Sequence, residues 1–353
     1  MKEQNKTKCQ YLVDFFKEKI LDGDILKGDK MPSEYEIVKK YKVSRHTVRR
    51  AFFILKQEGY VVAKQGSGYF CSYEIITNNE KKQIWILFPE KSKIHDKILV
   101  GIQSAIKDSS YAYTVRYTNN DSKKEEQLLR EALFYQVEGL IIEPIRCQII
   151  CPHMKSYIRL QKHKIPFVMI QGMYPQMEEK DSIIKNDMKG SYLSTRYFIR
   201  RGYRNIIGIF CSDTYSGIEQ HRGYVKALQE YGIFYDPQRV IWFHEEDRKE
   251  KPFVGLKMLI KQGLDIEGIL CQTDELALEM KTFLKECENK IEEGIEVIGN
   301  IGVEEEMGGR TGVVYCFEKM GEYAMKRLKD CIENRKVEEM ITKLEPRFLI
   351  SSK

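Results

Sequence analysis

The sequence lacks the features that define several large protein classes. It has no run of the roughly 18 apolar residues that a membrane-spanning helix needs, and its start, MKEQNKTKCQ, lacks the apolar centre of a signal peptide. Its nine cysteines are scattered, and its six histidines form no metal-ligating spacing such as HExxH. No segment repeats at a fixed period. We therefore expect a cytoplasmic protein with reduced cysteines, no metal and no cofactor.

Motifs of common α/β enzymes are also absent. The sequence has no G-x-G-x-x-G after a first strand and no G-x-S-x-G around a nucleophilic serine. The GSG at residues 66–68 lacks the Lys-Ser/Thr of a phosphate-binding P-loop and precedes a strand rather than a helix. We do not expect an enzyme. A doubly wound enzyme and a solute-binding protein, neither with a DNA-binding role, stay as the alternatives.

The net charge of +6 lies entirely at the amino-terminal end. Residues 1–73 contain fifteen Lys or Arg and nine Asp or Glu, whereas the other 280 residues contain 43 of each sign. A cationic end on a neutral body is typical of a protein that binds a polyanion such as DNA. A solvated lysine-rich surface is the alternative interpretation of the same charge.

The first 60 residues predict three helices. Apolar residues recur at helical spacing in TKCQYLVDFFKEKILDG, which ends near Gly23. Ser33 caps a second helix that runs to about Tyr41, because Glu36 completes the S-x-x-E capping box. Ser44 caps a third helix, in which Val48, Ala51, Phe52 and Leu55 form the inward stripe.

The outward face of the third helix indicates DNA binding. Arg45, His46, Thr47, Arg49 and Arg50 crowd its first turns, and Arg at a helix N-terminus can hold a guanine in the major groove. Two helices joined by a short turn form a helix-turn-helix.

A predicted hairpin follows, and it resembles the wing of a winged helix-turn-helix. Its strands are YVVA and YFCS, and its tip is KQGSG, in which Gly66 and Gly68 relax the backbone. Lys64, Gln65, Gly66 and Ser67 are therefore the predicted wing contacts to the DNA backbone or the minor groove.

Together these residues resemble the winged helix-turn-helix of the GntR family of bacterial transcription regulators. The similarity covers about residues 5–72 and includes Gly28, the PSE at residues 32–34, VSRHTVR at 43–49, and the two tip glycines. It implies that Arg45, His46, Thr47 and Arg49 contact bases and that Gln65 is a wing contact, with Ser33, Ser44, Arg50 and Lys64 beside them. Most remaining lysines would touch phosphate only.

The remainder of the chain predicts an α/β domain with largely parallel sheets. Short apolar runs alternate with helical stretches, as expected for βαβ units. Eight such runs fit two sheets and hence two lobes. The runs are IWILF, YTVRY, GLIIE, FVMIQ, IIGIF, RVIWF, GILC and EVIG.

This domain resembles the periplasmic-binding-protein-like sensor of LacI-type regulators. The resemblance rests on a series of phrases over about residues 84–350, among them VEGLIIEP, NDMKGSYLSTRYFIRRGYRNIIGIF and GILCQTDELAL. A GntR-type head on a LacI-type body is similar to the arabinose-repressor branch, in which a sugar between the lobes controls DNA binding. We therefore predict a DNA-binding domain at 5–73, a linker at 74–83 and an effector-binding and dimerisation domain at 84–353.

The predicted effector pocket departs from the family pattern at four positions. Where the family often has Asp, Arg, Asn and Asp, this chain has Gln171, Gln220, Thr273 and Ile301. Each lost charge removes a charge-assisted hydrogen bond to a sugar hydroxyl, typically about 1.5–3 kcal/mol, so a simple pentose or hexose is not the expected effector.

Six residues remain the predicted effector contacts: Gln171, Gln220, Arg222, Trp242, Thr273 and Asp274. For three of them a structural role is the alternative. Trp242 fits a core position as well as a sugar-stacking one, Arg222 fits a surface cation, and Asp274 fits a helix N-cap.

The expected function is that of a transcriptional regulator, in particular a repressor that binds operator DNA as a homodimer. Two heads related by a twofold axis would bind the half-sites of a palindrome. A small-molecule effector, with a sugar or sugar derivative as the expected class, would change the lobe arrangement and hence the affinity for DNA.

Overall fold

The computed structural model describes residues 7–21, 24–25, 27–72, 82–107, 109–148, 150–177, 180–286, 294–303, 308, 310–335 and 339–351. By internal packing the chain forms two units, one comprising residues 1–80, 129–137 and 155–165 and the other comprising the remainder. We call residues 7–72 the head and residues 82–351 the sensor. The predicted linker lies mostly at 73–81, outside the described residues. No described helix is long and apolar enough to cross a membrane.

The head contains the three predicted helices, α1 (Lys8–Leu21), α2 (Glu34–Tyr41) and α3 (Arg45–Gln57). Ser33 and Glu36 form the predicted capping box at the start of α2, and Lys42 adopts a left-handed conformation (φ 49°) that ends this helix. The short turn between α2 and α3 confirms the helix-turn-helix. The predicted inward stripe of α3 is buried, and Phe52 stacks on Tyr69 with ring centroids 4.3 Å apart.

A two-stranded hairpin completes the head. Strands β1 (Val61–Lys64) and β2 (Gly68–Cys71) pair antiparallel, and Lys64 lies opposite Gly68 across a three-residue turn. Gly66 and Gly68 have φ values of 74° and 96°, a conformation that favours glycine. Residues 28–31 pair with the other edge of β2, since the Met31 N–H donates to the Tyr69 carbonyl at 2.9 Å.

The sensor contains two sheets, as the sequence predicts, and each forms the centre of one lobe. Each sheet has six strands. The first lobe has the strand order β13-β7-β6-β5-β3-β4, with all pairs parallel. The second lobe has the order β14-β12-β11-β10-β8-β9, in which only β14 runs antiparallel to its neighbour. The strands are β3 (Lys82–Phe88), β4 (Tyr111–Tyr117), β5 (Gly139–Ile142), β6 (Phe167–Ile170), β7 (Ser182–Lys185), β8 (Ile206–Cys211), β9 (Val240–Phe243), β10 (Gly268–Cys271), β11 (Glu296–Gly302), β12 (Gly312–Val314), β13 (Ile341–Leu344) and β14 (Arg347–Leu349).

Four short strands, β7, β12, β13 and β14, are absent from the sequence prediction. Each has only two apolar residues, whereas the predicted strands of four residues have three or four, so their apolar signal is weak. They lie where the chain passes between the lobes, after β7, after β12 and between β13 and β14. The helices of the sensor are α4 (Lys93–Ile106), α5 (Ser122–Phe134), α6 (Met154–Lys162), α7 (Asp187–Arg200), α8 (Tyr215–Glu230), α9 (Lys251–Lys261), α10 (Asp274–Glu286) and α11 (Phe317–Ile332).

Glycines allow two helix pairs of the sensor to pack backbone against backbone. A Cβ on Gly101 of α4 would lie 1.9 Å from the Glu318 carbonyl oxygen, and one on Gly321 of α11 would lie 2.0 Å from that of Ile98. A Cβ on Gly223 of α8 would likewise lie 2.0 Å from the Met188 carbonyl oxygen of α7. These contacts fix the helices that flank the carboxyl ends of the sheets.

Candidate nucleic-acid interface and effector cleft

The amino-terminal end of α3 presents its polar side chains to solvent. Ser44 caps the helix, since its Oγ accepts from the Thr47 N–H at 3.1 Å and lies 2.8 Å from Thr47 Oγ1. Arg45, His46 and Arg50 are exposed. Their side chains make no hydrogen bond or ion pair with any other described residue. A helix N-terminus with unpaired donors suits bases and phosphates alike.

Arg49, by contrast, is held within the head. Its Nε lies 3.1 and 3.0 Å from the two carboxylate oxygens of Glu34 on α2. The Arg49 side chain is nevertheless 67% exposed. Ser33 is engaged too, because its backbone N–H donates to Glu36 Oε2 at 2.7 Å. The pair of Arg49 with Glu34 joins α3 to α2, and the Ser33–Glu36 cap fixes the start of α2, so the helix-turn-helix is positioned before any partner binds.

The hairpin tip is exposed from Lys64 to Gly68. The Ser67 N–H donates to the Lys64 carbonyl at 2.9 Å and closes the turn. The Lys64 ammonium lies 4.5 Å from the centre of the Phe70 ring, which holds the cation near the strand while its charge faces solvent. Gln65, Gly66 and Ser67 thus form a small, polar, protruding tip.

In the first lobe, a hydrogen-bonded group lies at the carboxyl ends of β3, β5 and β6. Glu143 Oε2 lies 2.9 Å from His95 Nε2 and accepts from Gln171 Nε2 at 3.0 Å. Burial lowers the pKa of His95, but the hydrogen bond and charge of Glu143 outweigh burial and raise it. Gln171 has φ 60°. The structure therefore places predicted Gln171 beside two residues, His95 and Glu143, that the sequence analysis missed.

In the second lobe, Gln220 faces a buried carboxylate. Its Nε2 lies 3.3 Å from Asp187 Oδ1 and 3.1 Å from Ser216 Oγ. Asp187 is only 1% exposed, and burial raises its pKa, against the effect of nearby Lys185. Asn300 Nδ2 contacts the same oxygen at 3.4 Å. Gln220 is therefore directed to the protein's own Asp187 at the carboxyl ends of β7 and β11.

Three further predicted contacts have partners in the protein. Thr273, rather than Asp274, caps α10, since its Oγ1 accepts from the Leu276 N–H at 3.2 Å. Asp274 pairs with Arg310. Arg222 pairs with Glu219 at 2.6 Å. The predicted N-cap role of Asp274 is thus wrong, because the hydroxyl of the preceding threonine reaches the free helix N–H.

Trp242 is the last of the six predicted contacts, and Ile301 is the fourth position that departs from the family pattern. Trp242 packs against His221 and Phe210, with ring centroids 4.7 and 6.0 Å away, among the apolar residues of the second lobe. Ile301 lies in β11, and its side chain is outside the described part of the chain.

Asp213 and Gln272 are further polar residues at strand ends that the sequence analysis missed. Asp213 Oδ1 accepts from the Glu245 N–H at 3.3 Å, and Gln272 Nε2 donates to Thr214 Oγ1 at 3.2 Å. Gln272 directly follows β10 and Asp213 lies two residues after β8, and ligands of such folds bind at the carboxyl ends of the strands. That rule would have found them. No group of three metal-ligating side chains occurs among the described residues.

Two family profiles match the chain. The profile described as "Bacterial regulatory proteins, gntR family" matches residues 11–71. The profile described as "Periplasmic binding proteins and sugar binding domain of LacI family" matches residues 81–307. The head and the sensor thus match the two families that their motifs resemble.

Two known repressors are similar over most of the chain. The arabinose metabolism transcriptional repressor of Halalkalibacterium halodurans is 32% identical over 342 residues, which cover 94% of this chain and 91% of that protein. Its counterpart in Geobacillus stearothermophilus is 29% identical and covers 85% of this chain and 83% of its own.

Solved structures share the fold at lower identity. The transcriptional regulator CelR in complex with cellobiose has a TM-score of 0.67 at 17% identity, covering 92% of this chain and 100% of its own. The transcription regulator CcpA of Lactococcus lactis has a TM-score of 0.65 at 21% identity, covering 77% of this chain and 100% of its own. The chain therefore belongs to the arabinose-repressor family of DNA-binding transcriptional regulators, with a GntR-type head and a LacI-type sensor.

Proposed function

We propose that the protein represses transcription as a homodimer on a palindromic operator and that a carbohydrate bound between the lobes releases it. The observation that carries this proposal is the exposed end of α3, where Arg45, His46 and Arg50 have no side-chain partner among the described residues. The names of the relatives, repressors of arabinose metabolism, support repression and a sugar effector. Such a regulator acts in the cytoplasm, where the chromosome lies.

Each polar residue of the head has a distinct proposed role. Arg45, His46 and Thr47 contact base edges in the major groove, because they stand on the first turn of α3. Arg49 is oriented by Glu34 and reaches the adjacent base or phosphate. The groups that contact the sugar-phosphate backbone, which position the head without specifying sequence, are Ser33, Ser44, Arg50, Lys64, Gln65, Gly66 and Ser67.

The effector site of the proposal lies between the two groups at the strand ends. Gln171, with His95 and Glu143, supplies the first-lobe side, and Gln220 with Thr273 supplies the second. Arg222 and Asp274 act through their partners Glu219 and Arg310, and Trp242 supports the second lobe from its core. A ligand that contacts both lobes favours one lobe arrangement, and only such a difference in affinity can shift DNA binding.

Selection of operator sites from a random duplex library tests this proposal. We expect a pseudo-palindrome whose half-site centres lie about 34–36 Å apart, or a multiple of that distance. A saccharide that binds the sensor should lower operator affinity and be recovered unchanged. Selection of sites without twofold symmetry would contradict the dimer, and conversion of the saccharide would instead favour an enzyme.

A further inference from the structure

A cavity of about 460 Å³ lies beside the proposed effector site, at the carboxyl edge of the first-lobe sheet. Asn120, Asp121 and Ser122 border it where β4 leads into α5, and Tyr174 borders it in the segment after β6. The volume is within the range of about 300–1,000 Å³ that is typical of ligand pockets. None of the six predicted effector contacts lines it.

The cavity is continuous in sequence with that effector site. Ile145 and Arg146 line it two and three residues after Glu143, and Tyr174 lines it three residues after Gln171. The same two loops therefore carry both groups of side chains. A molecule longer than one sugar ring would extend from one group to the other.

Both lobes enclose the cavity. Glu246 of the second lobe also lines it, and its Oε1 lies 2.6 Å from Nη1 of Arg146 in the first lobe. Close by, the Gln148 N–H donates to the Asp213 carbonyl at 3.3 Å. A ligand in the cavity would therefore contact both lobes and favour the arrangement in which they meet.

The charges on the wall favour an uncharged ligand. Two carboxylates, Asp121 and Glu246, face one guanidinium, that of Arg146, so the lining carries a net charge of −1. A phosphate or carboxylate would meet like charges without a surplus cation, which is unfavourable. Amide, hydroxyl and carboxylate groups instead suit the hydroxyls of a neutral sugar.

The remaining wall is apolar, as the C–H face of a sugar ring requires. Ile145, Ile150, Pro152 and Tyr174 form it. Ile150 is 79% exposed, and covering this side chain with a ligand would remove apolar surface from water.

We propose that this cavity is a second sugar subsite and that the effector is a neutral oligosaccharide of at least two units. One unit contacts Gln171 and its neighbours, and the next lies between Asn120, Ile150 and Glu246. This inference rests on the proposed function, because it specifies the ligand of the same cleft.

Calorimetric titration of the full-length protein with a defined panel tests the subsite. The panel contains L-arabinose, D-xylose and D-glucose, the neutral di- and trisaccharides of each, and glucose 6-phosphate. We expect a di- or trisaccharide to bind at least about tenfold more tightly than its monosaccharide. The proposal is overturned if a monosaccharide or the sugar phosphate binds most tightly, or if no di- or trisaccharide binds.

Two variants locate the second unit. Ile150→Ala and Glu246→Ala alter exposed side chains, 79% and 70% exposed, so folding should be unaffected. Ile150→Ala should weaken oligosaccharide binding about tenfold and leave monosaccharide affinity within about twofold. Glu246→Ala also removes the ion pair with Arg146 between the lobes, so it should weaken the binding of both ligands. Ile350→Ala, at a 63% exposed position outside the cavity, is the matched control and should change neither affinity.

Unchanged oligosaccharide binding in both cavity variants would overturn the subsite. DNA titrations without saccharide separate this result from failure of the proposed function. A protein that binds its operator but whose oligosaccharide affinity is insensitive to Ile150→Ala refutes the subsite alone. A protein that binds oligosaccharide and no duplex refutes the repressor.

Discussion

The head and the sensor treat their functional side chains in opposite ways. In the head, Arg45, His46 and Arg50 project from α3 without a side-chain partner among the described residues. In the sensor, the polar groups at the strand ends bind one another: Gln171 donates to Glu143, and Gln220 lies 3.3 Å from Asp187. This difference follows from the size of the two ligands. DNA can contact only side chains on the surface, whereas a small effector can be enclosed between two lobes.

The head and the sensor also differ in how their functional groups affect stability. The cations of the head lie on its surface, and a small apolar core stabilises it. The sensor has charged groups in its interior, and each needs a partner, since an unpaired buried charge is strongly destabilising. The predictions below separate these two arrangements, beginning with the largest expected effect.

Phe52→Ala should destabilise the head by about 3–5 kcal/mol, as large-to-small core substitutions do. Phe52 is 1% exposed and stacks on Tyr69 and Phe16. Chemical denaturation measures this loss of stability. Because the whole head is affected, the affinity for operator and for random duplexes should fall by the same factor, as measured by fluorescence anisotropy. The neighbouring Phe53 is 60% exposed, so Phe53→Ala should change stability by no more than about 0.5 kcal/mol. Equal effects of the two variants would contradict the assigned core of the head.

A buried pair in the sensor should make its stability pH-dependent. His153 Nε2 lies 2.9 Å from Glu125 Oε1, and both residues are buried. Burial lowers the pKa of His153, but contacts with Cys151 and Glu125 outweigh it and raise the pKa to about 9. The stabilisation is therefore fully present below pH 6.5 and is lost as pH rises through about 9.

The loss over that range should be at most about 3 kcal/mol. Thermal unfolding between pH 6 and 10 measures it, because the melting temperature of the sensor should fall as His153 loses its proton. Glu125→Gln should flatten the dependence while it lowers stability at neutral pH. If wild type and Glu125→Gln had the same pH slope, the charged pair would not be the cause.

Arg45→Ala should weaken operator binding by about 1–3 kcal/mol and relax the preference at one base pair. Lys64→Ala should instead lower the affinity for all DNA sequences by the same factor, because a phosphate contact carries no sequence information. It should also reduce the salt dependence of the affinity. Competition titrations with operator and random duplexes distinguish the two. Equal losses on both duplexes for Arg45→Ala would place this side chain on the backbone rather than on a base.

Removal of a helix cap gives the smallest expected effect and compares head with sensor directly. Ser44 caps α3, and Ser92 caps α4 by accepting from the His95 N–H at 3.2 Å. Each Ser→Ala change should cost about 1 kcal/mol of stability. Only Ser44→Ala should also weaken DNA binding. An equal loss of DNA affinity in Ser92→Ala would mean that the binding assay reports stability rather than contact with DNA.

The secondary structure of the head could be predicted almost completely from its sequence. Ser33 with Glu36 and Ser44 mark helix starts by local hydrogen bonds, and Gly66 marks the hairpin turn by its backbone freedom. Such signals need no distant partner. The ion pair of Arg49 with Glu34 was missed, because it joins residues on two helices.

The sensor could be predicted as a fold but only in part as a site. Its continuous apolar runs mark eight strands, whereas β7 and β12 have only two apolar residues each and are defined by their pairing with neighbours in the sheet. The partnership of His95 with Glu143 joins residues 48 apart in sequence. Which side chains meet in the cleft thus depends on tertiary packing, which local patterns do not contain.

The central claim is that the amino-terminal end of α3 and the hairpin tip form a DNA-binding surface. Titration of the purified full-length protein with duplex DNA over a series of salt concentrations tests it most directly. The account predicts measurable affinity for random duplexes at low ionic strength, tighter binding to a selected operator, and a linear fall of the logarithm of affinity with the logarithm of salt concentration. Absence of affinity for any duplex at low ionic strength would contradict it.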